Sequence, residues 1–153
     1  MPKEEIEQDF PKLAEEDWQI TSEIDPAYNC VAFAVGDTNQ FWDPNCVGVR
    51  GYYWPPGVPR EDTIQAWVKV FEIHGFKLCE GGSPEAGFEK LAIYIDDDGV
   101  PNHVARQLPT GQWISKLGKI EDIEHNAVSG LEGDAYGKVT VFLKRPIRKS
   151  DAE

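Results

Sequence analysis

Residues 25–36, with the sequence DPAYNCVAFAVG, decide the fold of this chain. Asp25 is a typical N-cap, Pro26 favours the first helical position, and Gly36 favours a helix end. The nearly unbroken apolar run between them predicts a buried core helix with Cys30 in its first turn. A thiol at that place lies near the positive end of the helix dipole and near unpaired backbone N–H groups, which favour the thiolate. Cys30 is therefore a candidate nucleophile, and the alternative is a small buried core residue.

Length and composition indicate one soluble domain. The chain has 153 residues, of which 41% are hydrophobic and 11% aromatic, and these are values of a globular protein. We divide it into an acidic lead-in (1–17), a single domain (18–145) and a charged C-terminal tail (146–153). No apolar run approaches the roughly 20 residues that span a bilayer, and the acidic N-terminus is unlike a signal peptide. We expect a cytoplasmic protein with no membrane contact, and export without a cleavable signal stays open.

The net charge of the chain indicates which kinds of partner it can bind. The chain carries 27 acidic and 15 basic residues, a formal net charge of −12. Such a surface repels phosphate backbones, so we expect no nucleic-acid partner. The basic run at 144–149 is interpreted as a solvated tail rather than a binding patch. The expected partner is a peptide or protein substrate, and the oligomeric state stays open.

The cysteines predict thiol chemistry rather than a disulfide framework or a zinc site. The chain has three of them, Cys30, Cys46 and Cys79, an odd number without CxxC spacing. Only Cys30 has the helix-start context that favours reactivity. We therefore expect no metal and no cofactor.

An aromatic loop over residues 41–57 follows the predicted helix. Pro and Gly interrupt it throughout, so regular structure is not expected there. Long loops with their own aromatic cluster are usually functional or packed over the core. One interpretation is a substrate wall beside Cys30, built from Trp42, Tyr53 and Trp54. The other is a hydrophobic lid that binds no ligand.

The rest of the chain predicts an α+β fold. An amphipathic helix is expected at 61–75 and a helical turn at 120–125. Strands are expected at 18–21, 76–79, 90–95, 103–108, 112–117 and 136–143. We therefore predict an N-terminal core helix that carries Cys30 and packs on an antiparallel sheet of about four to five strands.

A cysteine nucleophile needs a base, and the chain offers three histidines. His74 is explained by the end of the predicted helix, and His125 lies in the predicted helical turn. His103 opens a strand just after a hairpin turn, where a sheet packed on the helix could place it beside Cys30. The alternative for His103 is a strand-end histidine bonded to water.

A third group should orient the imidazole. If Leu108 pairs with Gln112 around a three-residue loop, Ser115 shares the sheet face of His103. Ser115 is then the candidate orienting residue. A register slip of one residue would put Lys116 there instead.

The order of three motifs resembles that of the papain-like cysteine peptidase superfamily. The motifs are YNCVAFA at 28–34, HVARQL at 103–108 and GQWISKLG at 111–118. They are similar to those of its compact bacterial members, which include cell-wall peptide endopeptidases, CHAP amidases and papain-fold toxin domains. They also resemble an uncharacterised bacterial domain family within that group, and the resemblance covers residues 18–145.

The resemblance implies a papain-like fold and a cysteine hydrolase, a peptidase or amidase, or an acyl transferase that acts on an amide. It implies Cys30 as nucleophile and His103 as base, and Ser115 stands at the third position. The oxyanion would be held at Cys30 N–H with support from Asn29 and Tyr28. The expected substrate wall comprises Trp42, Tyr53, Trp54 and Trp113. The alternative is a catalytically inactive papain-like binding or interaction module that uses the loop 41–57.

Overall fold

The computed structural model describes residues 3–147, and its main feature is one antiparallel sheet of seven strands. The helices are α1 (Lys3–Asp9), α2 (Cys30–Ala34) and α3 (Ile64–Ile73), and two 3-10 helices span Pro11–Glu15 and Val128–Leu131. The strands are β1 (Trp18–Ile20), β2 (Phe41–Trp42), β3 (Tyr52–Tyr53), β4 (Lys77–Cys79), β5 (Phe88–Ile95), β6 (Pro101–Gln107), β7 (Trp113–Lys116), β8 (Asp122–His125) and β9 (Lys138–Pro146). The sheet order is β1-β8-β7-β6-β5-β9-β4, and β2 and β3 form a separate parallel pair.

The sheet separates two hydrophobic cores. Along β5, Leu91 and Ile93 point to one face, and Ala92 and Tyr94 point to the other. We call the first the front face; it packs against α2, α3 and the loop 41–57. The second is the back face; it packs against α1 and the two 3-10 helices. Both faces are therefore buried.

The prediction of one core helix on a sheet of four to five strands is wrong. The observed sheet has seven strands, and helices cover both of its faces. The segment 120–125, expected as a helical turn, contains strand β8. Its four residues carry little apolar pattern, but β1 pairs with one edge of β8 and β7 pairs with the other. Pairing across the sheet therefore decided a conformation that the local sequence did not.

The N-terminal segment belongs to the back-face core. Ile6, Phe10 and Leu13 are buried there, so the lead-in packs on the body from residue 3 onward. Residues 148–153 of the predicted tail lie outside the described residues.

Helix α2 begins four residues later than an N-cap at Asp25 would set it. Its N-cap is Asn29, whose Oδ1 accepts a hydrogen bond from Ala32 N–H at 3.2 Å. The Asp25 carboxylate instead accepts from Ala27 N–H at 2.9 Å, which closes a local turn before the helix. Cys30 is therefore the first residue of α2 rather than a residue inside a longer helix.

The hairpin between β6 and β7 has the predicted register. Leu108 N–H donates to Gln112 O at 2.7 Å, and Gln107 faces Trp113 across the pair. The ladder then ends at Arg106 opposite Ile114. Beyond it, residues 103–105 pair with β5, whereas residues 115–116 pair with β8. We call this opening the β6–β7 split.

Within residues 3–147, none of the helices has the length and apolar character needed to cross a bilayer.

Candidate active site at the split between two strands

Cys30 lies at the β6–β7 split. Burial raises the pKa of its thiol, and the backbone N–H groups of Val104, Val31 and Cys30 itself, which lie near the sulfur, act to lower it. The Val104 N–H lies on the edge of β6 that faces β7, because it alternates with the Leu108 N–H that crosses this edge. Since the two strands have separated here, this N–H is available to the thiol. The sulfur therefore sits close to the plane of the sheet.

Burial keeps the Cys30 thiol protonated. The side chain is 8% exposed, and burial raises its pKa to about 11. The three backbone N–H groups and the positive charge of Lys116 act in the opposite direction and do not outweigh burial. Near neutral pH Cys30 is therefore a thiol, although several of its neighbours would stabilise the thiolate.

The His103 imidazole is buried on the back face. It is 1% exposed, and neither Nδ1 nor Nε2 has a hydrogen-bond partner among the described residues 3–147. Its ring stacks on Tyr136 at 4.3 Å between centroids and lies 5.3 Å from the ring of Tyr94. Burial, and then the charge of His125, holds the pKa of His103 well below its usual range. The imidazole is therefore neutral.

The structure places Cys30 next to the backbone of His103 but does not join their side chains. The Val104 side chain shares the front face with α2, so alternation along β6 directs His103 to the back face. No hydrogen bond links the thiol to the imidazole. However, the Val104 N–H that lies near the sulfur belongs to the peptide bond that follows His103. Burial, and after it the charge of Cys30, raises the pKa of Tyr136, which stacks on His103.

Ser115 binds His125 and does not hydrogen-bond to His103. Its Oγ lies 2.8 Å from His125 Nε2, and His125 Nδ1 lies 2.9 Å from Ala127 O. Because a carbonyl can only accept, Nδ1 carries the proton and the Ser115 hydroxyl donates to Nε2. Ser115 and His125 are fully buried, and burial lowers the pKa of His125 to about 4. The predicted orienting contact is absent because β6 and β7 have separated before Ser115.

The two predicted oxyanion supports are engaged in structural bonds. Asn29 Nδ2 donates to Trp42 O at 2.8 Å, and Asn29 Oδ1 also accepts from Trp42 N–H at 3.1 Å. The Tyr28 hydroxyl donates to Asp122 Oδ2 at 3.0 Å. These side chains brace the start of α2 against β2 and β8.

We expect Asn29→Ala to lower the free energy of unfolding by about 3 kcal/mol. The change removes a helix cap and leaves both backbone groups of Trp42 without their partner. Urea unfolding at neutral pH measures the loss. Asn45→Ala is the control, because Asn45 is exposed and binds only the Asp62 side chain and a local turn. Equal stabilities of the two variants would contradict the bracing role.

The four predicted wall aromatics do not form one surface. Trp42 and Trp54 are buried in the front-face core, and Tyr53 is half-buried at 4.9 Å from Trp42. Trp113 lies on the back face, 6.5 Å from Phe142, because it precedes Ser115 by two residues on β7. The wall prediction is therefore wrong for Trp113. The other three lie on the same face as Cys30, and Asn29 links Trp42 to its helix.

Several polar residues around the split were not predicted as functional. Lys116, on the front face of β7, was considered only as the outcome of a register slip. Asp122 was not considered, because it lies in the segment 120–125 that was expected to be helical. Tyr136 carried no motif of its own, and its stacking on His103 depends on how β9 begins. The signal that could have found Lys116 is a charged residue within the predicted strand 112–117, just before the apolar Leu117.

The site is closed in this structure. Cys30 and His103 are both buried, and neither lines any of five cavities of about 300 to 500 Å³ on the surface of residues 3–147. Among residues 3–147, no group of three His, Cys, Asp or Glu side chains is placed to hold a metal ion. The three cysteines are free thiols.

Comparison with known proteins gives a family. No curated protein and no solved structure matches the chain. One family model, described as a domain of unknown function (DUF7689), matches residues 19–144. Because this match spans most of the sequence, the chain belongs to the DUF7689 family.

Proposed function

We propose that the chain is a cysteine-dependent hydrolase or acyl transferase that acts on an amide, with Cys30 as nucleophile and His103 as base. The observation that carries the proposal is the proximity of Val104 N–H to the Cys30 sulfur, which puts the thiol near the peptide that follows His103. Motif order supports it, since it resembles that of papain-like cysteine peptidases.

The burial of the His103 imidazole also supports a catalytic role. A fully buried imidazole with no partner for either nitrogen is costly to the fold and needs an explanation. Catalytic groups commonly have such strongly perturbed surroundings. An imidazole that turned from Tyr136 toward the split would gain the thiol as its partner.

In the proposed reaction, His103 takes the Cys30 proton and the thiolate attacks the amide carbonyl. The C–N bond breaks, His103 returns the proton to the leaving amine, and an acyl-thioester remains on Cys30. Water then releases the acid, or a second amine takes the acyl group. The closed resting site implies that the substrate opens it before the thiolate forms.

The proposed substrate is a peptide or protein in the cytoplasm. Three free thiols fit a reducing compartment, and the net charge of −12 disfavours a nucleic-acid partner.

We expect 4-nitrophenyl acetate to acetylate Cys30 in the native protein, as read by mass spectrometry of its peptides. Cys30→Ala should abolish the modification, and His103→Gln should slow it about 100-fold, since general-base catalysis contributes that order. Cys46→Ala is the control and should leave acetylation of Cys30 unchanged. Inert Cys30 beside reactive Cys46 or Cys79 would overturn the proposal.

A second candidate is a non-catalytic binding or interaction module that uses the loop 41–57. It is supported by the closed thiol, whose pKa burial raises to about 11. Val49, at 54% exposed, is an apolar group of this loop that a partner could cover. In this case Cys30→Ala would leave partner binding unchanged, whereas Val49→Asp would weaken it.

A further inference from the structure

We propose that Lys116 is a positioning residue for Cys30, which anchors the segment before the nucleophile and supplies the positive charge that its thiolate faces. This inference rests on the proposed function. It concerns a residue that motif order did not assign.

The Lys116 ammonium is fixed by backbone carbonyls. Lys116 is fully buried, and Nζ donates to Asp25 O at 2.6 Å and also to Ile120 O. It lies 4.9 Å from the centroid of the Tyr28 ring. Two of these contacts are to the segment 25–28, which leads directly into Cys30. The amine therefore holds the approach to α2 in place.

Lys116 also stands at the β6–β7 split. It is the last residue of β7, pairs with Asp122 on β8, and lies beyond the end of the ladder to β6. Helix α2 packs on both of the separated strands. The front face of the split thus contains the thiol together with a buried lysine.

Charged groups around Lys116 balance its ammonium. Burial lowers the pKa of Lys116, whereas Asp122, Asp25, Glu121 and Cys30 raise it. The Tyr28 hydroxyl binds Asp122, and Asp122 Oδ1 has no hydrogen-bond partner within residues 3–147. On the back face, burial and then the charges of Cys30 and Asp9 raise the pKa of Tyr136.

The ammonium of a buried lysine attracts a negative charge that forms nearby. Formation of the Cys30 thiolate supplies that charge. The lysine therefore stabilises the thiolate more than the thiol, which is the difference that assists a nucleophile.

The test is the pH profile of Cys30 alkylation by iodoacetamide, followed separately for each cysteine by mass spectrometry. We expect Lys116→Gln to slow alkylation of Cys30 about tenfold at pH 8, since a shift of one unit in thiol pKa changes the thiolate fraction tenfold. Lys116→Arg should restore the rate to within about threefold of the wild type, because it keeps the charge.

Lys119→Met is the matched control. Lys119 is exposed in the turn that follows β7; burial and then Asp43 raise the pKa of Cys46, and the charge of Lys119 acts against them. This variant should slow the alkylation of Cys46 and leave the alkylation rate of Cys30 unchanged. A folded Lys116→Gln protein with the wild-type Cys30 profile would overturn the proposal.

A measurement on the wild type covers the case in which Lys116→Gln does not fold. The ¹⁵Nζ resonance of Lys116 should shift at the pH where Cys30 ionises, and Cys30→Ser should remove that step. Absence of the step in the wild type overturns the proposal. If 4-nitrophenyl acetate does not acetylate Cys30, the proposed function is rejected. The coupling between Lys116 and Cys30 can still be measured in that case.

Discussion

The free energy of unfolding should fall by about 4 kcal/mol when the pH is lowered from about 6.5 to about 4.5. The cause is two buried histidines, His103 and His125. They are neutral in the folded protein and take up protons when the chain unfolds. Urea unfolding at a series of pH values measures this loss.

The direction follows from the two pKa shifts. Burial depresses the pKa of His125 to about 4 and that of His103 well below its usual range, so both folded values lie under the unfolded value of about 6.5. Above that unfolded value neither state binds the protons and stability is complete. Below it the unfolded state binds two more protons, and stability falls by up to about 2.7 kcal/mol per pH unit. The loss slows once the pH reaches the folded pKa of His125.

A variant comparison assigns this loss to the histidines. Asp122 has a pKa raised by burial and acts in the opposite direction, so the wild-type slope alone is ambiguous. His103→Phe preserves a ring against Tyr136 and removes one titrating group. It should about halve the pH dependence between pH 6.5 and 4.5. Identical slopes for the variant and the wild type would contradict the assignment.

The His103→Phe variant also tests the proposed function. Because the His103 nitrogens have no partner, Phe at this position should leave stability at pH 8 unchanged or raise it. It should also abolish acetylation of Cys30 if His103 is the base. Higher stability with lost reactivity is the result expected when a polar group is retained for chemistry rather than for the fold.

Local patterns predicted the parts of the site that depend on short stretches of sequence. The helix-start context of Cys30 and the strand that contains His103 are present in the structure, and the register of Leu108 with Gln112 is confirmed. Each follows from capping, alternation or turn chemistry within a few residues. The exact start of α2 was wrong because Asn29 competes with Asp25 for the cap.

Relations between distant segments were not predictable in the same way. At the β6–β7 split, β7 pairs with β8 along its whole length but loses its pairing with β6 after Ile114, and no local pattern encodes that. The contact of Ser115 with His125 instead of His103 follows from it. Strand β8 likewise owes its conformation to neighbours on both edges. Tertiary pairing therefore overrode the local sequence where the site is assembled.

Gly137→Ala should cost at least about 3 kcal/mol of unfolding free energy, because two effects add there. Gly137 has a φ of +85°, which disfavours any L side chain. A Cβ at this position would also overlap Ile95 O, a backbone atom that cannot move aside easily. Urea unfolding at neutral pH checks the value.

Gly99→Ala separates the two effects. Gly99 has a φ of +81° in the turn between β5 and β6, and a Cβ there would meet nothing within 4 Å. It should cost only about 1 kcal/mol, the conformational part. If the two variants lost the same stability, the close approach of Gly137 to Ile95 would have no energetic consequence.

The approach of Gly137 to β5 matters for the site because it fixes the residue before it. Gly137 contacts β5 where the β5–β9 and β5–β6 ladders both shift register, and Tyr136 stacks on His103 from this position. A displaced Gly137 should therefore move Tyr136 and loosen His103. The His103 ring protons, which the stacked Tyr136 ring shifts in the NMR spectrum, should move in Gly137→Ala and stay unchanged in Gly99→Ala. Unchanged His103 resonances in a destabilised Gly137→Ala protein would show that Tyr136 is held by its own packing rather than by the glycine.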